Sequence, residues 1–193
     1  MADMKRKGYG QVEPNHLSAQ YTGQIYAQLP AMVETTSGTG TTATTSEDPI
    51  AVLENGQFLK YNYANGRASV DGDGEWMLVF NEVKLYDERR QNYKDFAMKA
   101  SEMADGKIYP RLLKTNVGDI FTTNTFRTSG NATVTGPDDE ITMPELVVGD
   151  YVVIDAAGWL KKNANAGSDI AFQVVKVYNL GDMQDAVKLQ RIQ

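Results

Sequence analysis

Val147-Val148-Gly149-Asp150-Tyr151-Val152-Val153-Ile154-Asp155-Ala156-Ala157-Gly158-Trp159-Leu160-Lys161-Lys162 is the stretch that decides the fold class. It spells strand, tight turn, strand. A pleated backbone sends Val152 and Ile154 to one face and Tyr151 and Val153 to the other. Asp155 to Gly158 supplies turn residues, and Trp159-Leu160 re-enters an extended segment. Two other stretches echo it. Ile50-Ala51-Val52-Leu53-Glu54-Asn55-Gly56-Gln57-Phe58-Leu59-Lys60-Tyr61 carries an apolar run, an acid, a turn glycine and an aromatic-Leu-Lys triplet. Val117-Gly118-Asp119-Ile120-Phe121 repeats the Val148-Gly149-Asp150 approach to a strand. Three related units predict a mainly β protein: a small β-barrel or sandwich of hairpins with one short helix.

Outward from this stretch, the C-terminal part reads as more strand. Ile170 to Tyr178 is a full strand, and alternation through Val187, Leu189 and Ile192 predicts a short terminal one. Upstream, Asp138-Asp139-Glu140 ends a loop from Ser129, and its default is a solvated acidic turn. Asn131-Ala132-Thr133 matches a glycosylation acceptor, which carries no weight without a signal sequence. Tyr109 to Leu113 and Gly118 to Phe126 are strand-like, and Thr122-Thr123-Asn124-Thr125 suits a solvated or partner-facing strand.

Trp76 to Tyr86 is the longest apolar run. Val79, Asn81, Val83 and Leu85 share one face, and Leu78, Phe80, Glu82, Lys84 and Tyr86 the other, as in a central strand. From Asp87 to Asp105 the period changes. Tyr93, Phe96, Ala97, Ala100 and Met103 recur at three and four, which predicts an amphipathic helix closed by Gly106. Asn55-Gly56 predicts a hairpin between Ile50–Leu53 and Phe58–Tyr63, and Asn65-Gly66 a second turn. Asp71-Gly72-Asp73-Gly74 begins like a calcium loop but lacks its later ligands, so an acidic hairpin tip is expected and no metal.

The N-terminal third differs. Residues 1–34 are broken by Gly8, Gly10, Pro14, Gly23 and Pro30 and read as an extended arm. Tyr9, Val12, Leu17, Tyr21, Ile25, Tyr26 and Leu29 are its anchors. Such spaced side chains cannot bury one another in an extended segment, so the arm must lie on a surface, its own domain's or a neighbour's. Leu17, Tyr21 and Ile25 also fit a helix stripe starting after Pro14, against which Gly23 counts about 1 kcal/mol. Residues 35–47 form a Thr/Gly-rich run that reads as a linker. Gly38-Thr39-Gly40 lacks the lysine of a phosphate-binding loop. The domain proper is then 48–193.

Composition restricts the chemistry. The 193 residues are 41% hydrophobic and 23% charged, enough for a core. There is no cysteine, which removes disulfides and thiolate sites. The one histidine, His16, leaves no base for a nucleophile, so no enzyme and no cofactor are expected. A formal net charge of −6 disfavours nucleic acid. No apolar run approaches the ~20 residues of a membrane span, and the basic start Met1 to Lys7 lacks a secretory apolar segment. Synthesis and folding in a cytoplasm follow as the expectation. Trp76, Tyr109 and Trp159 are the aromatics that could stack on a sugar.

A Thr/Gly-rich tether joining an arm to a β-domain with LENGQFLKY, VGDIFTTN and VGDYVVIDAAGWLKK resembles the capsid decoration, or cement, proteins of tailed bacteriophages. The resemblance covers roughly Ile50 to Tyr178. It implies a structural virion protein on the outside of an assembled shell. Its partner is then the major capsid protein, bound as trimers or by arms spanning neighbouring subunits, and no catalytic residue comes with it. The long arm and the 87–105 insertion depart from that pattern. A carbohydrate- or receptor-binding virion module is the alternative.

Overall fold

The computed structural model describes residues 4–26, 29–37, 44–71, 74–81, 96–127 and 139–193. Strands account for 47% of these and helices for 5%, so the protein is mainly β. Two antiparallel sheets face each other. One has six strands in the order β15 (Leu160–Asn163), β14 (Tyr151–Ile154), β16 (Ala171–Asn179), β17 (Asp185–Arg191), β12 (Ile120–Thr123) and β2 (Val12–His16). The other has five, β3 (Ile25–Tyr26), β11 (Leu112–Leu113), β9 (Trp76–Val79), β7 (Phe58–Asn62) and β8 (Arg67–Ser69). Three two-stranded ladders complete it: β1 (Lys5–Lys7) with β13 (Glu140–Thr142), β4 (Met32–Ser37) with β5 (Thr44–Pro49), and β6 (Val52–Glu54) with β10 (Ala97–Lys99). Among the described residues no sheet closes into a barrel.

The core lies between the two sheets. Phe58, Leu78 and Leu113 from the five-stranded sheet meet Phe121, Val152, Phe172 and Leu189 from the six-stranded one. Phe58, Phe121 and Phe172 form its centre, with ring centroids 5.5–6.5 Å apart, the spacing of tilted and edge-to-face aromatic pairs. Leu59, Met77, Val79 and Leu112 point the opposite way and build a second core with Ala31, Leu53 and Ile108. The five-stranded sheet is therefore buried on both faces. That is why Trp76 to Val79 is a continuous apolar run rather than an alternating one.

The opening stretch folds as its pattern predicts. Ile154 pairs with Leu160 across β14 and β15, Val152 is fully buried, and Ile154 packs on the same core. The Asp155 carboxylate accepts hydrogen bonds from the Ala157 and Trp159 N–H groups, both at 2.9 Å, and closes the turn. Gly158 is required there. Its φ is +79°, and a Cβ would stand 2.1 Å from the Phe58 carbonyl.

The echo between Val147–Asp150 and Asn116–Asp119 is a true structural repeat. In each, the fourth residue's N–H donates to the first residue's carbonyl, at 3.1 Å and 3.0 Å. In each, the aspartate carboxylate accepts from the first residue's N–H at 2.8 Å. Gly118 and Gly149 have φ of +96° and +95°, the left-handed third position of a type II turn. The turns feed β12 and β14, which flank the central β16–β17 pair. Near one end of that pair Gln173 lies opposite Gln190, with Tyr151 beside Gln173 and Ile120 beside Gln190. The sheet thus has a local pseudo-twofold axis through that glutamine pair. The Ile50–Tyr61 stretch does not share it.

Several sequence expectations are corrected. Asn55-Gly56 does turn the backbone, but β6 and β7 do not pair. β6 joins β10 and β7 joins β8 and β9, because the turn leads from one layer to the next. Asn55 spends its side chain on Asn81, donating to its carbonyl at 3.2 Å and accepting from its N–H at 2.8 Å. Asn65-Gly66 does close a hairpin, β7 to β8. The helix expected over 87–105 is, where described, strand Ala97–Lys99 and a single 3-10 turn, Ala100–Glu102. Pairing with the free edge of β6 overrides the 3.6-residue spacing there. Residues 82–95 lie outside the described residues. The α-helix that does form is α1 (Ser18–Thr22), ended by Gly23 at φ +70°.

The arm and linker also differ from expectation. Residues 1–34 contribute β1, β2 and β3 to three different sheets, and Met4, Val12 and Leu17 to the main core. Where described, the run at 35–47 lies on both strands of a β-hairpin, 35–37 on β4 and 44–47 on β5, with Met32 opposite Pro49 and Ser37 opposite Thr44. Its tip, 38–43, lies outside the described residues. Arg67, buried, pins the hairpin by ion pairs to Glu34 of one strand and Glu47 of the other. A threonine-rich sequence serves a ladder as well as a tether, so composition alone does not separate the two.

Candidate adhesive surface

The seven expected anchors divide by burial. Tyr9, Val12 and Leu17 are buried within the protein itself. Tyr9 packs with Ala97 and Ile141, and the Lys99 ammonium sits 5.6 Å from its ring centre. Ile25 and Leu29 are half-buried against the first and second cores. Only Tyr21, 77% exposed, and Tyr26, 37% exposed, face solvent. For the first five, the surface that the arm needed is its own domain.

Polar groups hold the arm down. Arg6 and Glu54, both buried, pair at 2.9 Å, and the Gly10 N–H donates to the same carboxylate at 2.7 Å. A buried charge pair needs such additional hydrogen bonds to offset its lost hydration. The Gln11 N–H donates to the Asn124 side-chain oxygen at 2.8 Å, and the Thr123 hydroxyl donates to the Gln11 carbonyl at 2.7 Å. Ser18 donates from both N–H and hydroxyl to Asp119. Thr122 to Thr125, expected at a solvated or partner-facing strand, are fully buried. They are polar because the arm, not water, lies over them.

What remains outside is a short aromatic ladder. Tyr26, on edge strand β3, meets Tyr61 edge-on at 5.1 Å, and Tyr61 meets Tyr63 at 5.3 Å. Tyr61 is sunk into the second core, whereas Tyr63 is 70% exposed beside the β7–β8 turn. Tyr21 lies on α1, with its ring 5.9 Å from that of His16. The sequence signal for this ladder is the Tyr61-Asn62-Tyr63 alternation, which puts both rings on one face. The hairpin pattern of the same segment masks it. A second exposed apolar group is Val147 and Val148 with Val175, brought near by the Gly149 N–H bond to the Val174 carbonyl at 2.9 Å.

The aromatics expected to stack on sugars are differently placed. Trp76 is buried, with the Lys60 ammonium 4.5 Å from its ring centre. Trp159 is half-buried and approached by the guanidinium groups of Arg6 and Arg127 at 5.9 and 5.5 Å. Tyr109 is exposed, but its hydroxyl donates to Asp105 at 2.9 Å. The Asp105 carboxyl is held below its usual range by the Lys107 N–H and that hydroxyl, and the Tyr109 phenol is raised by the same carboxylate. Both groups lie at the surface, so this is local hydrogen bonding at an exposed turn.

Among the described residues, no three His, Cys, Asp or Glu side chains group to hold a metal. Two residues of the Asp71–Gly74 loop, 72 and 73, lie outside the described residues. No described helix is long and apolar enough to cross a membrane. Comparison with family models, curated proteins and solved structures finds no match to this sequence.

Proposed function

We propose that this protein is a structural accessory component of a tailed-bacteriophage head, one that docks on the assembled shell and reinforces it without chemistry. The observation carrying this reading is the solvent-facing tyrosine set, Tyr21, Tyr26 and Tyr63, on a fold in which the buried Glu54, Thr123 and Asn124 side chains are engaged in holding its own layers together. Tyrosine gives large, stiff contact area with a polar end, and it is over-represented where proteins meet. Repetition over a shell lets modest contacts act as a near-permanent attachment. The net charge of −6 suits a protein partner better than packaged nucleic acid. The partner in this reading is the major capsid protein, with the accessory protein present as a homo-oligomer such as a trimer and located on the virion surface.

Co-sedimentation tests it, using purified heads of the phage whose genome encodes the protein. The expected result is saturable pelleting with the heads, reduced about tenfold in affinity by Tyr63→Ser, the loss of a contact worth about 1.4 kcal/mol. A receptor- or carbohydrate-binding role is the second reading, favoured by the exposed ring of Tyr63 next to Tyr61. A glycan array separates the two: signal on sugars without pelleting on heads overturns the shell reading.

A further inference from the structure

Two Asn-Gly pairs occur in the sequence, and the fold treats them oppositely. Asn55-Gly56 is buried. The Asn55 amide is held by Asn81 at both ends, and the Gly56 N–H donates to the Val79 carbonyl at 2.9 Å. Asn65-Gly66 stands exposed at the tip of the β7–β8 hairpin. There the Gly66 N–H reaches the Tyr63 carbonyl only at 3.4 Å, a weak restraint. Gly66 carries no Cβ, and the space where one would stand is open, so no side chain crowds its nitrogen from that side.

We propose that Asn65 is a site of spontaneous self-modification, converting to aspartate and isoaspartate in the folded protein while Asn55 keeps its amide. The Gly66 backbone nitrogen gives its proton to solvent hydroxide and attacks Cγ of Asn65. A new bond from that nitrogen to Cγ closes a ring, the bond from Cγ to the amide Nδ2 breaks, and ammonia leaves with a proton from water. Water then opens the cyclic imide at either carbonyl, restoring one carboxylate. No oxidant, reductant or enzyme is needed. The product places a new negative charge two residues from exposed Tyr63, and its isoaspartate form adds a backbone atom to the hairpin tip. The modification stands independently of the docking role; only its effect on binding rests on that reading.

The folded full-length protein is incubated in mildly alkaline buffer and mapped by peptide mass spectrometry, with isoaspartate counted by methyl transfer from an isoaspartyl methyltransferase. Conversion at Asn65 is expected to exceed that at Asn55 by at least about tenfold, because Asn55 reacts only after local opening. In denaturant the two sites should converge, since their local sequence chemistry is then alike. Equal rates in the folded protein overturn the proposal. So does an Asn65 that stays amide while the denatured protein converts. The Asn65→Gln variant should lose the acid gained in the 60–70 peptide, and persistence of that gain also overturns it. Aged and fresh protein, compared in head pelleting, report separately on the docking role.

Discussion

A single carboxylate can set both a turn and a stability profile. Asp150 closes the Val147–Asp150 turn and pairs with Lys162 at 2.7 Å. Burial pushes its pKa up, but the Lys162 ammonium and the Val147 N–H outweigh that, and the net direction is downward from 3.8. A carboxylate with a lowered folded pKa contributes stability above its unfolded value, which disappears as pH falls through the folded one. Asp150→Asn should therefore lower the melting temperature at neutral pH and flatten its acid dependence below about pH 4. Thermal scans across pH read both effects, and an unchanged acid slope would count against the assignment. Glycines test packing at the same scale. A Cβ on Gly10 would lie 2.1 Å from the Thr125 hydroxyl and 2.4 Å from the Asn55 carbonyl. Gly10→Ala should cost about 3 kcal/mol, since a backbone carbonyl cannot swing aside as a side chain does. Denaturant titration measures it, and a loss under about 1 kcal/mol would mean the arm shifts easily at that point.

At the scale of elements, the legible parts are those written in one place. The 151–154/160–163 hairpin, the paired Gly-Asp turns and the Trp76–Val79 central strand all follow from local period and turn chemistry. The parts that are not legible depend on partners far along the sequence. Nothing local in Lys5–Lys7 announces that it pairs with Glu140–Thr142, or that Arg6 will meet Glu54. Polar Thr122–Thr125 looks solvated until the arm is seen over it. The docking candidates suffer likewise: Tyr21 and Tyr26 are exposed, but Tyr9, Val12 and Leu17 anchor the protein to itself. Two measurements follow. Amide hydrogen exchange on the isolated protein should find the β1 and β2 ladder amides protected together with β12 and β13. Deleting residues 1–34 should yield insoluble or unfolded protein by circular dichroism, because it removes an edge strand of both large sheets and uncovers the core around Leu17. A soluble, cooperatively melting product would show that the arm is dispensable after all.

For the molecule as a whole, the tyrosine surface and the interior are separable. Tyr21 and Tyr63 are the most exposed of the set, and neither belongs to a core cluster. The double change Tyr21→Ser with Tyr63→Ser should keep the melting temperature within a few degrees, the usual range for surface substitutions. In the same protein, attachment to phage heads should fall by roughly a hundredfold if the two sites act independently. A drop in melting temperature that tracks the loss of binding would assign both rings to folding instead. Light scattering on the purified protein, alone and with heads, tells whether oligomers precede docking.

The way β2 lies against β12, while β12 is held in turn by β17, also constrains how this polypeptide is born. Ribosomes deliver Val12–His16 early and Asp185–Arg191 late, so the six-stranded sheet cannot close until most of the sequence has been made. β2 must wait for β12, and the β2–β12 pair must wait in turn for β17, and long-range strand pairing of this kind is slow. Nascent polypeptides stalled short of Asp185 should stay protease-sensitive throughout, and full-length release should mark the onset of resistance.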